Sequence, residues 1–299
     1  MKRQVFLVTH FVVVIIVFSS ISTRIYAQNE KPEPLNLAWV KNDLDGIAAL
    51  MKLMPVENQN LKNLKKRLKD DWSVDHEPLG FGSNRVRFSK GYGYSQVFVD
   101  VLTFKNKVAY YEIGVTGSSS WNQYREQIIT AWKQNGGPEF KEREDGLTYQ
   151  KEYDNVFKTY YADVANKLGE MKPVNVPADL KHAYEYLTSP LNNSYIGEDV
   201  CGLNGPVLEG KTSIDALINA GRIDLIENVL RGYNPGGRIF AAIALLRMTQ
   251  EGLKLNPEVA ATLNKVVNLS VPAATCVRCV IPKFRRRKAK DIVAEFVNR

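Results

Sequence analysis

Gln96-Val97-Phe98-Val99-Asp100-Val101-Leu102-Thr103-Phe104, continued after Lys105-Asn106 by Lys107-Val108-Ala109-Tyr110-Tyr111-Glu112-Ile113-Gly114-Val115, is the stretch that decides the fold. Apolar and polar side chains alternate along it, the period of a strand with one side against a core. Arg85 to Phe88 carries the same alternation, with Gly91 and Gly93 in the turn that follows. Three strands joined by tight turns predict an antiparallel meander.

Working outward from the meander, Trp121, Tyr124, Ile128 and Trp132 fall on one face of a helix. That helix is capped near Ser119 or Ser120 and stopped by Gly136-Gly137-Pro138. A hairpin is expected from Phe140 to Tyr149, turned at Asp145-Gly146, which would supply positive φ angles. Val156, Phe157, Tyr160, Tyr161, Val164, Ala165 and Leu168 then make a strongly amphipathic helix. On the other side, Leu44, Ile47, Met51 and Met54 have helical spacing up to Pro55, and Leu61, Leu64 and Leu68 form a shorter lysine-rich helix. Residues 36–170 are therefore expected to form an α+β domain, an antiparallel sheet of about five strands with helices on one face.

The character of the chain changes at Lys172-Pro173-Val174-Asn175-Val176-Pro177, where two prolines favour extended backbone. All four Trp residues lie before it, and helical periodicity prevails after it. A domain boundary placed there leaves residues 178–299 as an all-α domain. Helices are expected at 179–188, 212–220, 222–231, 236–250, 257–269 and 283–298. Asn234-Pro235 and Asn256-Pro257 each set a capping residue before a proline at the first helical position. Ile239 to Leu246 is apolar all round, so its helix has to be enclosed by others.

The run Pro235-Gly236-Gly237-Arg238-Ile239-Phe240-Ala241-Ala242-Ile243-Ala244-Leu245-Leu246 resembles the second half of a HEAT-type repeat, in which a proline and an arginine open an alanine-rich helix. The resemblance extends over residues 213–269. It implies stacked helix pairs that offer a partner-binding surface. A compact helical bundle is the alternative.

The chain begins with Lys2 and Arg3, an apolar run from Val5 to Ile21, and the segment Ser22-Thr23-Arg24-Ile25-Tyr26-Ala27-Gln28. This is the layout of a signal peptide over residues 1–27, cleaved after Ala27, and it directs the protein to the periplasm or outside the cell. An uncleaved anchor is the rival, since about 17 residues approach the roughly 20 that span a bilayer. No Cys precedes Cys201, so a lipid-anchored N-terminus has no residue to carry it.

Composition is ordinary for a globular protein, 44% hydrophobic and 24% charged over 299 residues, and predicts no membrane span in the mature chain. The formal charge of +8 includes Lys2, Arg3 and Arg24, so the excess of base after cleavage is mild. An exported chain of this charge is not expected to meet nucleic acid.

Cys276-Val277-Arg278-Cys279 invites a redox reading, but a thioredoxin-like site needs a preceding strand and a sheet around it, and this half reads as helical. A zinc site would need more ligands than His76 and His182 add. A structural disulfide from Cys201 to Cys276 or Cys279 is the expectation, because the short Cys276–Cys279 loop would strain the bridge in helical backbone. Asp70-Asp71-Trp72-Ser73-Val74-Asp75-His76-Glu77 gathers carboxylates around an imidazole and reads as a charged connection before the first strand. No nucleophile elbow, phosphate-cradling loop or His-Glu-x-x-His helix occurs, so no catalytic residue, metal or cofactor is assigned.

Two basic runs remain, Lys62 to Lys69 and Lys283-Phe284-Arg285-Arg286-Arg287-Lys288-Ala289-Lys290. Lys283, Arg285, Arg286, Arg287 and Lys288 form a charged helix face suited to an anionic polymer or protein partner. The sequence thus points to an exported, non-catalytic binding or scaffolding protein. The alternative is an exported hydrolase with a site between the two halves, using His76, Asp75 or His182.

Overall fold

The computed structural model describes residues 34–52, 60–67, 72–118, 120–192, 196–197, 207–269, 272–275 and 285–298. The expected leader, all three cysteines and Lys283 lie outside them. The first half opens with helices α1 (Leu37–Met51) and α2 (Leu61–Arg67). The sheet follows as β1 (Ser73–Gly80), β2 (Ser83–Gly91), β3 (Ser95–Phe104), β4 (Lys107–Gly117), β5 (Lys141–Arg143) and β6 (Gly146–Glu152). Helix α3 (Trp121–Gln134) interrupts it after β4, and α4 (Asp154–Leu168) closes it. All six strands are antiparallel, in the order β1-β2-β3-β4-β6-β5.

The sheet holds one strand more than the periodicity indicates. β1 occupies the stretch expected to be a charged connection, and its first four residues are exposed. An edge strand solvated on both sides carries no alternating apolar signal. The Lys105-Asn106 turn has φ of 46° and 68°, the left-handed pair that matches strand twist. The β5–β6 turn is different. It has no positive φ at Asp145 or Gly146, a geometry that splays strands, and β5 runs only three residues.

Val86, Phe88, Val97, Val99, Val101, Tyr111, Ile113 and Val115 point to one side and pack under α1, α2 and α3. Asp43 of α1 is buried there, and its carboxylate accepts from the amides of Gly93, Tyr94 and Ser95 and from the Ser95 hydroxyl. These bonds fix the β2–β3 turn to the helix. On the opposite side Leu102, Phe104 and Tyr110 pack against Phe157, Tyr160 and Val164 of α4.

The second half contains α5 (Lys181–Thr188), α6 (Glu209–Asn219), α7 (Ile223–Val229), α8 (Pro235–Gln250), α9 (Pro257–Val267) and α10 (Ala289–Val297). Asn234 and Asn256 cap α8 and α9 with their side chains, as the Asn-Pro pairs predict. Helix α8 is buried from Pro235 to Leu245 and is packed by α5, α6, α7, α9 and α10, which is the enclosure its all-round apolarity requires. Gly237 permits the close crossing with α5, since a Cβ there would run into the Leu187 carbonyl.

Residues 283–298 do not form one helix. Arg285–Lys288 is a strand, β8, paired antiparallel with β7 (Pro272–Thr275), and α10 starts only at Ala289. Successive cations at a helix N-terminus would oppose its dipole, whereas Asp291 in the first turn of the shorter helix suits it.

The core crosses the expected boundary: Leu79, Leu102 and Tyr110 of the sheet belong to the same apolar cluster as α5 to α10. The connection is packed as well. Asn228 of α7, 2% exposed, accepts from the Lys172 amide at 2.7 Å and donates to its carbonyl at 2.8 Å. Val174 and Val176 lie against the shared core. Among the described residues, no helix is long and apolar enough to cross a membrane.

Candidate ligand site between three helices

One face of α6 presents Lys211, Ile214, Asp215 and Ile218, the i, i+3, i+4, i+7 spacing of a single stripe. The facing stripe on α8 runs Phe240, Ile243, Ala244, Arg247, Met248 and reaches Glu251 just past the helix end. Phe296 of α10 and the backbone at Gly197 complete the enclosure. The cavity so formed measures about 250 Å³, more than the roughly 150 Å³ that admits a benzene-sized guest. Gly210 lets the wall close in, because a Cβ there would stand 2.6 Å from the Phe240 ring.

Polarity is divided along this cavity. Ile214, Phe240, Ile243, Ala244 and Phe296 are all nearly buried and make an apolar floor. Charges sit at the rim, where the Lys211 ammonium donates to the Asp215 carboxylate and the Arg247 guanidinium donates to the Phe296 carbonyl. Glu251 is exposed at the same rim, four residues after Arg247. In both i, i+4 pairs the cation precedes the acid, the order that helix dipoles disfavour. Lys211 stands in the first turn of α6 and Glu251 at the C-cap of α8, again each at the wrong pole. Arg247, in the last turn of α8, suits its dipole, so helix stability leaves Lys211 and Glu251 unaccounted for.

The described residues singled out from sequence do not line this cavity. His76 and Asp75 are neighbours on β1, so their side chains point to opposite faces of the sheet and do not form one acid–base pair. His76 bonds the Asn84 side chain at 3.1 Å, and exposed His182 bonds Glu209 at 2.7 Å. Of the basic run, Arg285 and Arg286 lie in β8, Lys288 is exposed, and Arg287 is engaged by Glu295 and the Asp291 carbonyl. Among the described residues no group of His, Cys, Asp and Glu could hold a metal ion.

A second polar arrangement lies where the sheet meets the helical half. Register lines up Asp75, Arg87, Asp100, Glu112 and Gln150 across five strands on one face. Asp100 and Glu112 are like charges directly opposite, a costly pairing. Glu112 accepts from the Tyr110 hydroxyl at 3.1 Å and from Gln150 at 2.9 Å. Burial pushes the Asp100 carboxyl above its usual range, against the pull of Arg85 at 3.7 Å and of Arg87. Arg85 also donates to the carbonyls of Pro190, Leu191 and Asn192 and so ties the two halves.

Comparison with family models, curated proteins and solved structures found no match to this chain.

Proposed function

We propose that this chain is an exported, non-catalytic binding protein that holds a small, largely apolar molecule in the cavity between α6, α8 and α10. The observation that carries the reading is a cavity of about 250 Å³ with an apolar floor and a charged rim, in which Lys211 and Glu251 stand against their helix dipoles. Concave, mostly apolar sites with a few convergent polar groups are the usual form of small-ligand pockets. Export rests on the leader at residues 1–27, and mass spectrometry of the mature chain tests it by its N-terminus at Gln28.

A titration with the uncharged apolar fluorophore N-phenyl-1-naphthylamine tests the cavity. Saturable binding is expected in the mature protein and is lost in Ala244→Trp, which fills the floor, while the circular dichroism spectrum is kept. Ile218→Trp, from the opposite wall, serves if the first variant does not fold. Equal binding by wild type and a folded variant contradicts the reading.

The Asp100–Glu112 pair favours the hydrolase as second reading, with a raised carboxyl beside a hydrogen-bonded carboxylate in place of His76 and His182. Screening ester, peptide and glycoside substrates decides it: turnover lost in Asp100→Asn supports hydrolysis, and no turnover in the wild type removes it.

A further inference from the structure

Resting on the reading that this cavity holds a ligand, we infer that the ligand is a zwitterion with an apolar body, a short apolar peptide with free termini. The floor offers Phe240, Ile243 and Phe296 but no hydrogen-bonding side chain, so a buried sugar or nucleotide would leave its polar groups unpaired. The rim holds two cations and two acids, the ion pair Lys211–Asp215 on α6, Arg247 in the last turn of α8 and Glu251 just past its end. A ligand of one sign fits such a rim poorly. A fatty carboxylate reaches Lys211 only by displacing Asp215 and then lies beside that acid. A zwitterion that sets its carboxylate on Lys211 brings its own ammonium to the acids of the same rim, so the displaced Asp215 does not face a lone anion. The half-buried state of Lys211, with 24% of its side chain exposed, strengthens that recognition relative to a fully solvated pair.

Isothermal titration of the mature protein with three probes tests this: leucyl-leucine, its N-acetylated amide, and octanoate. Leucyl-leucine is expected to bind at least about tenfold more tightly than the other two. Lys211→Met and Glu251→Gln should each weaken leucyl-leucine by about fivefold or more and leave the blocked peptide unchanged. Octanoate binding as tightly as the dipeptide overturns the zwitterion and leaves the cavity reading standing. Binding of none of the three also overturns the zwitterion, and the fluorophore titration on Ala244→Trp then judges the cavity on its own. Loss of all binding in Ala244→Trp together with the expected probe order supports both.

Discussion

The guanidinium of Arg238, on the central helix of the helical half, donates to the carbonyl of Leu79, on the first strand of the sheet, at 3.3 Å. Arg238 is 1% exposed and also donates to the Gly232 carbonyl at 2.8 Å, with the Phe81 ring 5.1 Å below it. Burial depresses its pKa, against the opposing pull of the Tyr160 hydroxyl. The planar fork reaches two carbonyls from two halves at once, a task a lysine cannot repeat. Arg238→Lys should lower stability by about 2 kcal/mol through a lost or weakened carbonyl bond. Urea unfolding followed at once by tryptophan fluorescence, which reports the first half, and by far-ultraviolet circular dichroism should give one shared midpoint that moves down in the variant.

Asn228 makes a parallel claim for the connection. Asn228→Ala leaves the half-buried amide and carbonyl of Lys172 without their side-chain partners and should cost about 1–2 kcal/mol. Cleavage after Glu170, two residues before it, by a glutamyl endopeptidase should rise with it. A variant as stable and as resistant as the wild type would mean that the connection is not held by these bonds.

Asp100 sets a pH dependence of definite sign. Its folded pKa lies above the unfolded one, so the ionised carboxyl costs stability at neutral pH, and that cost fades as pH falls through the folded pKa. Asp100→Asn should therefore be at least as stable as the wild type at pH 7, and the difference should vanish towards pH 4, near the ordinary carboxylate range of about 3.9. Thermal midpoints across this range check it. A variant that is less stable at pH 7 would show that the Arg85 attraction outweighs burial.

The cysteines give a covalent prediction. Ile196 and Thr275 meet in a parallel bridge. Cys201 follows the first closely in sequence, and Cys276 and Cys279 follow the second. A bond from Cys201 to either would close a loop of about 75 residues and contribute roughly 4 kcal/mol in the chain-entropy account. Peptide mapping without reductant should find this link. Three alkylatable thiols, or a link between Cys276 and Cys279 alone, would contradict it.

The central strands were legible because β3 and β4 keep an unbroken apolar row on the face under α1 to α3 while Gln96, Asp100 and Glu112 interrupt the other, and α8 was legible because its apolar run leaves no side for water. β1 was hidden by its exposed edge, and β8 by four cations whose pairing partner, Pro272–Thr275, carries no alternating pattern. The cavity could have been suspected from Lys211 and Arg247, each four residues ahead of an acid, with Lys211 in a first helical turn and Glu251 past a helix end, both against the dipole. Which helix faces meet across it depends on crossings such as that at Gly237, and a single stripe cannot specify its partner. Asp43 and Arg85 were missed for a related reason. Their partners are backbone groups about 50 and more than 100 residues away, which no local pattern marks.

The most direct test of the binding account is mass spectrometry of small molecules released on denaturing the mature protein after purification under native conditions. The account predicts a recurring apolar compound released from the wild type in near-stoichiometric amount and absent from folded Ala244→Trp. No released compound, or the same compound in equal amount from both proteins, would contradict it.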